Sequence, residues 1–445
     1  MKLNYKRTLL SGLAFLAITA FWQMYDNVLP LILGNTFHMN ESVTGAIMAS
    51  DNILALFMLP FFGKLSDRTS TRLGKRMPYI LFGTGVAIIL TNLLPFWDNS
   101  YASSPSNFKF ISFIITLALL LIAMSVFRSP SVALMPDITP KPLRSRGNAI
   151  INLMGALGGI LYLIFSALMY PESKTQNVDH VNYQPLFIFI AALMFVAIGL
   201  MLLTVKEPKW AKENEEIEKQ HPEWDLTEKD SGTHAVLPKP VLRSMLFLLA
   251  SVALWYFAYN SLTTWFTTYV ATLMGKQLGF ASTCFLITNV GAIIFFIPAG
   301  ILASRIGRKK TILIGTLSFS LCFVFAYFIT TSGSDSALFT MYIDFFVVGA
   351  AWALINVNSL PMCVEMCSGA DTGKFTGYYY TASMSAQVVT PVLAGTLLKH
   401  ISYKILFPYA ALFAFLSFIT MLFVRHGDNR AQAVKGLDAF EEMDI

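Results

Sequence analysis

Between its second and third long apolar runs the chain reads Gly63-Lys64-Leu65-Ser66-Asp67-Arg68-Thr69-Ser70-Thr71-Arg72-Leu73-Gly74-Lys75-Arg76. After the eighth run it reads Gly300-Ile301-Leu302-Ala303-Ser304-Arg305-Ile306-Gly307-Arg308-Lys309-Lys310. The same order of Gly, Leu, Arg, Gly and clustered bases recurs, the first copy carrying a short insertion. A second pair of sites repeats with it: one offset lays Asp137 on Glu365 and Arg146 on Lys374, acid on acid and base on base. Two halves with the same internal order are a fold-level signal: the chain is built on an internal repeat.

Working outward, the repeats sit in a chain that water cannot dissolve. Of 445 residues, 55% are hydrophobic and 13% charged, and mean hydropathy is +0.59. A soluble domain carries about 25% charged residues, so nucleic-acid binding, a secreted disulfide scaffold and a disordered hub are excluded together. Near-spanning apolar runs number twelve, from 9–33 to 405–424, and in lipid each must be helical. The basic stretch Met1 to Arg7 leads into the first of them, which runs on without a cleavage site and reads as a retained span. Nearly all of the 32 Lys and Arg residues fall on one side of this pattern; the exceptions are Lys109, Lys174, Lys276, Lys399 and Lys404, with Arg128 inside a span. That asymmetry predicts both termini on the cytoplasmic side.

Charged and Pro-containing residues 206–240 divide the chain and read as a solvated cytoplasmic linker with at most one short surface helix. The expected organisation is therefore a six-helix bundle at 1–205, the linker, a second six-helix bundle at 241–425, and a cytoplasmic tail at 426–445. Cys284, Cys322, Cys363 and Cys367 lie in apolar runs without metal or redox spacing and read as packing residues. No metal or cofactor is expected. Nor is there a nucleophile–base set or phosphate loop, so the chain does not read as an enzyme.

These residues carry a resemblance. Gly63-x-Leu-x-Asp67-Arg68 followed by Gly74-Lys75-Arg76 resembles the loop motif of the major facilitator superfamily. Ser66 to Ile80, Arg128-Ser129-Pro130 through Pro136-Asp137, and Gly377-Tyr378-Tyr379-Tyr380 through Gln387 to Pro391 resemble the glycoside–pentoside–hexuronide cation symporters and the sucrose transporters. The resemblance implies an all-α membrane protein of the major facilitator fold, with twelve transmembrane helices in two six-helix bundles. It also implies that spans 1, 4, 7 and 10 line a central cavity.

A charge at the bilayer centre costs roughly 2.5–3.5 kcal/mol on insertion scales, so each one retained there asks for a use. The set is Asp26, Asp51, Arg128 and Asp344. Alignment of the halves sets Asn289 opposite Asp51, Tyr259 opposite Asp26 and Asn356 opposite Arg128, so the first half alone holds two acids and a base. A carboxyl group in a partly dry cavity is suited to loading and releasing a proton. Asp51 and Asp26 are therefore candidate ion-coupling residues, and the sucrose-transporter resemblance adds Asp137. Asp51 also matches one of two paired carboxylates in melibiose-type symporters, but the second position is Ala55, which favours a proton over sodium. The alternative for Asp51 is a fixed pair with Arg128 that never titrates. Arg128 stands where those relatives carry a sugar-gripping acid. It can hydrogen-bond sugar hydroxyls, bind an anionic sugar, or neutralise Asp26 and Asp51.

Sugar recognition needs aromatic faces and amide forks. Candidates are Trp22, Gln23, Tyr25, Asn27, Asn52 and Arg128 in the first half, and Trp255, Tyr259, Asn260, Trp352, Asn356, Asn358 and Gln387 in the second. Asp67, Arg68, Arg76, Asp137, Arg146, Arg305, Arg308, Glu365 and Lys374 read as ion-pair clasps of a cytoplasmic gate. The expected protein is a monomeric proton-coupled importer of a disaccharide or other glycoside in the cell membrane, its partners being that small-molecule sugar, the proton and the lipid bilayer. The alternative is a proton-coupled antiporter exporting drug-like solutes.

Overall fold

The structure, a computed structural model, describes residues 3–140, 143–175, 178–221, 238–332, 336–366 and 372–428. Its helices are, in chain order, α1 (Tyr5–Leu31, continued by a π-helical turn, Ile32–Thr36), α2 (Glu41–Asp67), α3 (Met77–Ser103), α4 (Asn107–Asp137), α5 (Arg144–Met169), α6 (Glu172–Thr175), α7 (Gln184–Thr204), α8 (Glu207–Gln220), α9 (Lys239–Met274), α10 (Leu278–Ile306), α11 (Arg308–Ser332), α12 (Ser336–Val364), α13 (Thr372–His400) and α14 (Leu406–Leu422). Among the described residues twelve of these, all but α6 and α8, are long and apolar enough to cross a bilayer. A helix satisfies its backbone within its own segment, which a hydrocarbon solvent demands. Large apolar side chains face outward, among them Phe57, Phe82, Ile89 and Leu203, each more than two-thirds exposed. That is the expected surface of a protein whose solvent is lipid.

The chain divides into two compact units. The first is built on α1, α3–α8 and residues 50–67 of α2; the second on α9–α14 together with residues 40–49. In the first unit α1 crosses α5 with backbone contact, since a Cβ on Gly158 would lie 2.0 Å from the Leu16 carbonyl oxygen. Within the second, Tyr403 Oη donates to Glu41 Oε1 at 2.8 Å. Pro30, Pro60, Pro130, Pro136, Pro298, Pro361 and Pro391 fall inside helices, as expected where bending is tolerated.

The segment expected as a solvated connector behaves differently. Its described part forms α8, and α8 docks: Glu207, Trp210 and Asn214 are buried. Arg7 ion-pairs with Glu213 at 2.6 Å and lies over the Trp210 ring, Arg144 pairs with Glu218 at 3.0 Å, and Asn214 Nδ2 donates to the Asp137 carbonyl. Residues 222–237 of the expected linker and 429–445 of the expected tail lie outside the described residues, as does Cys367.

Glu207 does most to fix the position of α8. Its carboxylate accepts backbone N–H bonds from Lys75, Arg76 and Met77 at 2.6–3.2 Å, so it caps the start of α3 from another part of the chain. Those donors have no partner inside the helix, and a carboxylate suits the positive end of the helix dipole. The approach requires Gly74, whose φ is +116° and whose Cβ, if present, would lie 2.3 Å from the Glu207 carboxyl carbon. The second unit repeats the device. Asp428, beyond α14, accepts from Lys309 N–H at 2.9 Å at the start of α11, beside Gly307 at φ +96°. In each unit an acid beyond the last spanning helix thus caps the third.

Replacing Glu207 by Ala strands buried donors, so unfolding in detergent should become easier by about 1–3 kcal/mol. A thermal or denaturant midpoint equal to that of the parent protein would show that α8 is only a connector.

Candidate functional site

At the end of each unit that carries the repeated basic motif, the charges are spent on one another. Arg76 is almost wholly buried. Its Nε donates to Asp137 at 2.7 Å, one terminal nitrogen to Asp67 at 2.5 Å, and the other to Ser66 Oγ and the Gly63 carbonyl. Burial works against the Arg76 charge, and the Asp137 and Asp67 carboxylates outweigh it, holding the guanidinium above its ordinary pKa. In the second unit Arg308 pairs with Glu365. Asp137 and Glu365 are bound by Arg76 and Arg308, while Arg68 and Arg305 are exposed and carry no ion pair among the described residues. The side chains of Arg146 and Lys374 lie outside the described residues.

At membrane depth in the first unit the arrangement is the reverse. Asp51 is the link among Asp26, Asp51 and Arg128: a charge on it is felt at Asp26 and at Tyr25, and Arg128 attracts it. Yet Arg128 is in ion-pair contact with neither acid. Its guanidinium carbon lies 6.0 Å from the Trp22 ring centroid, at the limit of a cation–π contact. The Asp51 carboxyl accepts from Asn52 Nδ2 at 2.9 Å and from nearby backbone N–H groups, whereas none is recorded for Asp26 among the described residues. Tyr25 Oη and Trp22 Nε1 are buried without a partner among those residues. Asn27 is otherwise employed, donating to the Gln23 carbonyl one turn back.

The second unit gathers rings rather than charges. Trp255 stacks on Tyr256 at 3.9 Å and meets Trp352 edge-on at 5.0 Å, while Tyr259 lies against Trp352 at 3.9 Å. Around them Trp255 Nε1, Asn260 Nδ2 and both amide atoms of Asn356 are buried without a hydrogen-bond partner among the described residues. Asn356 is only 1% exposed. Leaving such a group unpaired costs about 1–3 kcal/mol, and four orphaned atoms around one ring cluster are more than packing explains. Asn358 does not join them, because its Nδ2 donates to the Leu354 carbonyl. Gln387 is half-buried on α13, and Trp265 Nε1 is taken by the Pro391 carbonyl.

Two acids fall outside the expected site. Asp344 is buried with one oxygen unpartnered, and the Cys322 thiol hydrogen-bonds the carboxylate. Asp98 is not among the expected residues, because the third apolar run reads as ending at residue 96; α3 instead continues to Ser103 and buries Asp98 completely. Its polar neighbours are Thr36 and His180, the latter 3.7 Å away and bonded to Asn99 Oδ1 at 2.8 Å. Partial burial holds the His180 imidazole below its ordinary pKa. Among the described residues no group of three His, Cys, Asp or Glu is placed to hold a metal.

Comparison with known proteins agrees with this architecture. Over residues 10–374 the chain matches the family of MFS/sugar transport proteins. It is 30% identical over 141 residues to an uncharacterised MFS-type transporter of Methanocaldococcus jannaschii, 32% of this chain and 33% of that one. It is 29% identical over 138 residues to a sucrose transport protein of Arabidopsis thaliana, 28% of this chain and 23% of that one. The matched stretch thus spans a third or less of either relative's length. Among solved structures, the nucleoside transporter NupG superposes with a TM-score of 0.64 at 16% identity, covering 95% of this chain and 100% of that one. The inward-open xylose transporter XylE from E. coli superposes with a TM-score of 0.65 at 15% identity, covering 95% and 96%; at these identities the likeness is one of fold. Repeated basic motifs, twelve spanning helices and a family match over most of its length place this chain in the MFS/sugar transport family of multi-pass membrane transporters.

Proposed function

We propose that this transporter imports a sugar, a disaccharide or other glycoside, together with a proton, with both termini in the cytoplasm. The observation that carries the reading is the unspent trio Asp26, Asp51 and Arg128, two carboxyl groups and a guanidinium at membrane depth with no ion pair formed between them. A charge kept there without a fixed partner is retained for use.

Asp51 is the proton carrier, with Asp26 as its neighbour. While Asp51 is ionised, Arg128 is drawn toward it. Protonation of Asp51 releases that attraction, and the guanidinium is then free to donate to sugar hydroxyls beside the Trp22 face. Proton and sugar thereby favour one another, which is the thermodynamic content of coupling. In the second unit the Trp255, Tyr259 and Trp352 rings present flat faces to sugar C–H groups, and Asn260 and Asn356 supply the donors and acceptors that hydroxyls need. Such a lining favours a polyhydroxylated solute over the amphipathic cations of a drug antiporter. The match to a sucrose transport protein, though confined to part of the chain, supports the same substrate class. Asp67, Arg76, Asp137, Arg308 and Glu365 are the clasps of the cytoplasmic gate, remade and broken as the transporter alternates its access. No chemistry is done on the solute. A proton requires one acceptor, whereas sodium requires several oxygen ligands, and Ala55 leaves Asp51 without a second carboxylate at the position four residues on.

Two outcomes test this. In liposomes containing the purified protein and an internal pH dye, external sucrose or another disaccharide should acidify the lumen, and Asp51→Asn should abolish acidification. Sugar uptake that requires sodium, or acidification that survives Asp51→Asn, would overturn the assignment; uptake of none of the disaccharides would overturn the substrate class. Separately, Asn356→Leu should abolish sugar binding while leaving the protein as stable as the parent or about 1–3 kcal/mol more stable, since it removes two orphaned polar atoms. Loss of stability in that variant would show that Asn356 has a structural role.

A further inference from the structure

The turn between α10 and α11 carries four cations, and the structure divides them sharply. Arg308 is held by Glu365, and Lys309 places its ammonium on the Leu422 carbonyl and its backbone N–H on Asp428. Arg305 and Lys310 are exposed and have no acidic partner among the described residues. These two, and not the paired ones, line a cavity of about 480 Å³ whose remaining walls are Ile306, Leu313 and Ile314. No acid lines it. It is a shallow, open depression on the protein surface rather than an enclosed pocket.

The ligand chemistry follows from the lining. Two unpaired cations without an acid call for an anion, and a guanidinium with an ammonium suits a phosphate. The apolar walls call for hydrocarbon next to it. Ile314 is 44% exposed and Ile301, a turn before Arg305, is 38% exposed, both on helices that cross the bilayer. Exposed isoleucines on a spanning helix face acyl chains, so the cations stand where a lipid headgroup meets the protein surface. A soluble anion would meet the same charges but would gain nothing from the isoleucine wall.

We infer that this cavity holds the phosphate of an anionic phospholipid between Arg305 and Lys310, with acyl chains lying along Leu313 and Ile314. The lipid would complete, from outside the chain, the charge pairing that Glu365 and Asp428 supply from inside it. Because Arg308 and Lys309 belong to the same short turn, a lipid bound here would brace the segment whose other two cations form the Arg308–Glu365 clasp and the α11 cap. The bilayer's own composition would then set how firmly that clasp is held.

The test is native mass spectrometry of the full chain, released from micelles containing equal amounts of phosphatidylglycerol and phosphatidylcholine. The expected result is selective retention of phosphatidylglycerol. Arg305→Gln or Lys310→Gln should each lower retention about fivefold, the equivalent of the roughly 1 kcal/mol that one cation contributes beside an anionic bilayer. Lys64→Gln with Arg72→Gln, which removes two exposed cations elsewhere, should leave it unchanged. Excess glycerol 3-phosphate should not displace the lipid. Equal retention by the parent protein and the Arg305 and Lys310 variants would overturn the site. So would equal loss in the Lys64/Arg72 control, which would reveal general surface attraction, or displacement by glycerol 3-phosphate, which would reveal a soluble-anion site.

Discussion

Hydrocarbon offers no hydrogen bonds, and that single property of the solvent governs this molecule from backbone to binding site. It compels every spanning segment to be helical, because each N–H and C=O must find its partner within the segment. It turns large apolar residues outward, as Phe57 and Leu203 show. It also makes each polar group at depth a question, because water is not there to absorb it. The helix ends, where donors are left over by geometry, are met by Glu207 at α3 and by Asp428 at α11. Nothing comparable is spent on Asn356 or Asp26. The contrast between polar groups that are fully employed and polar groups that are not separates scaffold from site.

Symmetry separates them in the same way. Features present in both units serve what both units do: the Gly74 and Gly307 turns, the carboxylate caps behind them, and the Arg76 and Arg308 anchors on Asp137 and Glu365. Features present in one unit serve what only one does. Asp26, Asp51 and Arg128 belong to the first unit alone, and the densest ring cluster with its orphaned amides to the second. An ancestral duplication would have supplied two equal halves, and the coupling and recognition chemistry assigned above resides in what has since diverged.

Much of the architecture is legible in the chain itself, because a spanning helix announces itself by length and hydropathy alone. The membrane-depth trio is legible for the same reason: a charge inside an apolar run needs no structure to be noticed. What escaped depends on contacts distant in sequence. Arg76 takes both Asp67 and Asp137; all three read as clasp residues, but only the fold shows which meets which. Glu207 reads as one more charge in a polar connector until its carboxylate is seen on the α3 backbone. Asp98 escaped because helix ends are the least readable feature of an apolar run, and about two further turns of α3 convert a loop acid into a buried one. Asn358 and Asn356, alike in sequence, part company because one amide satisfies itself on its own helix and the other does not.

The central claim is that one proton on Asp51 and one sugar bind cooperatively. The most direct measurement is the dissociation constant of a transported disaccharide, read by tryptophan fluorescence of the purified protein across pH. If sugar binding takes up one proton, affinity should weaken by up to about tenfold per pH unit on the alkaline side. In Asp51→Asn, whose uncharged side chain mimics the protonated state, affinity should be high and flat across the same range. A pH dependence that persists unchanged in that variant would contradict the claim.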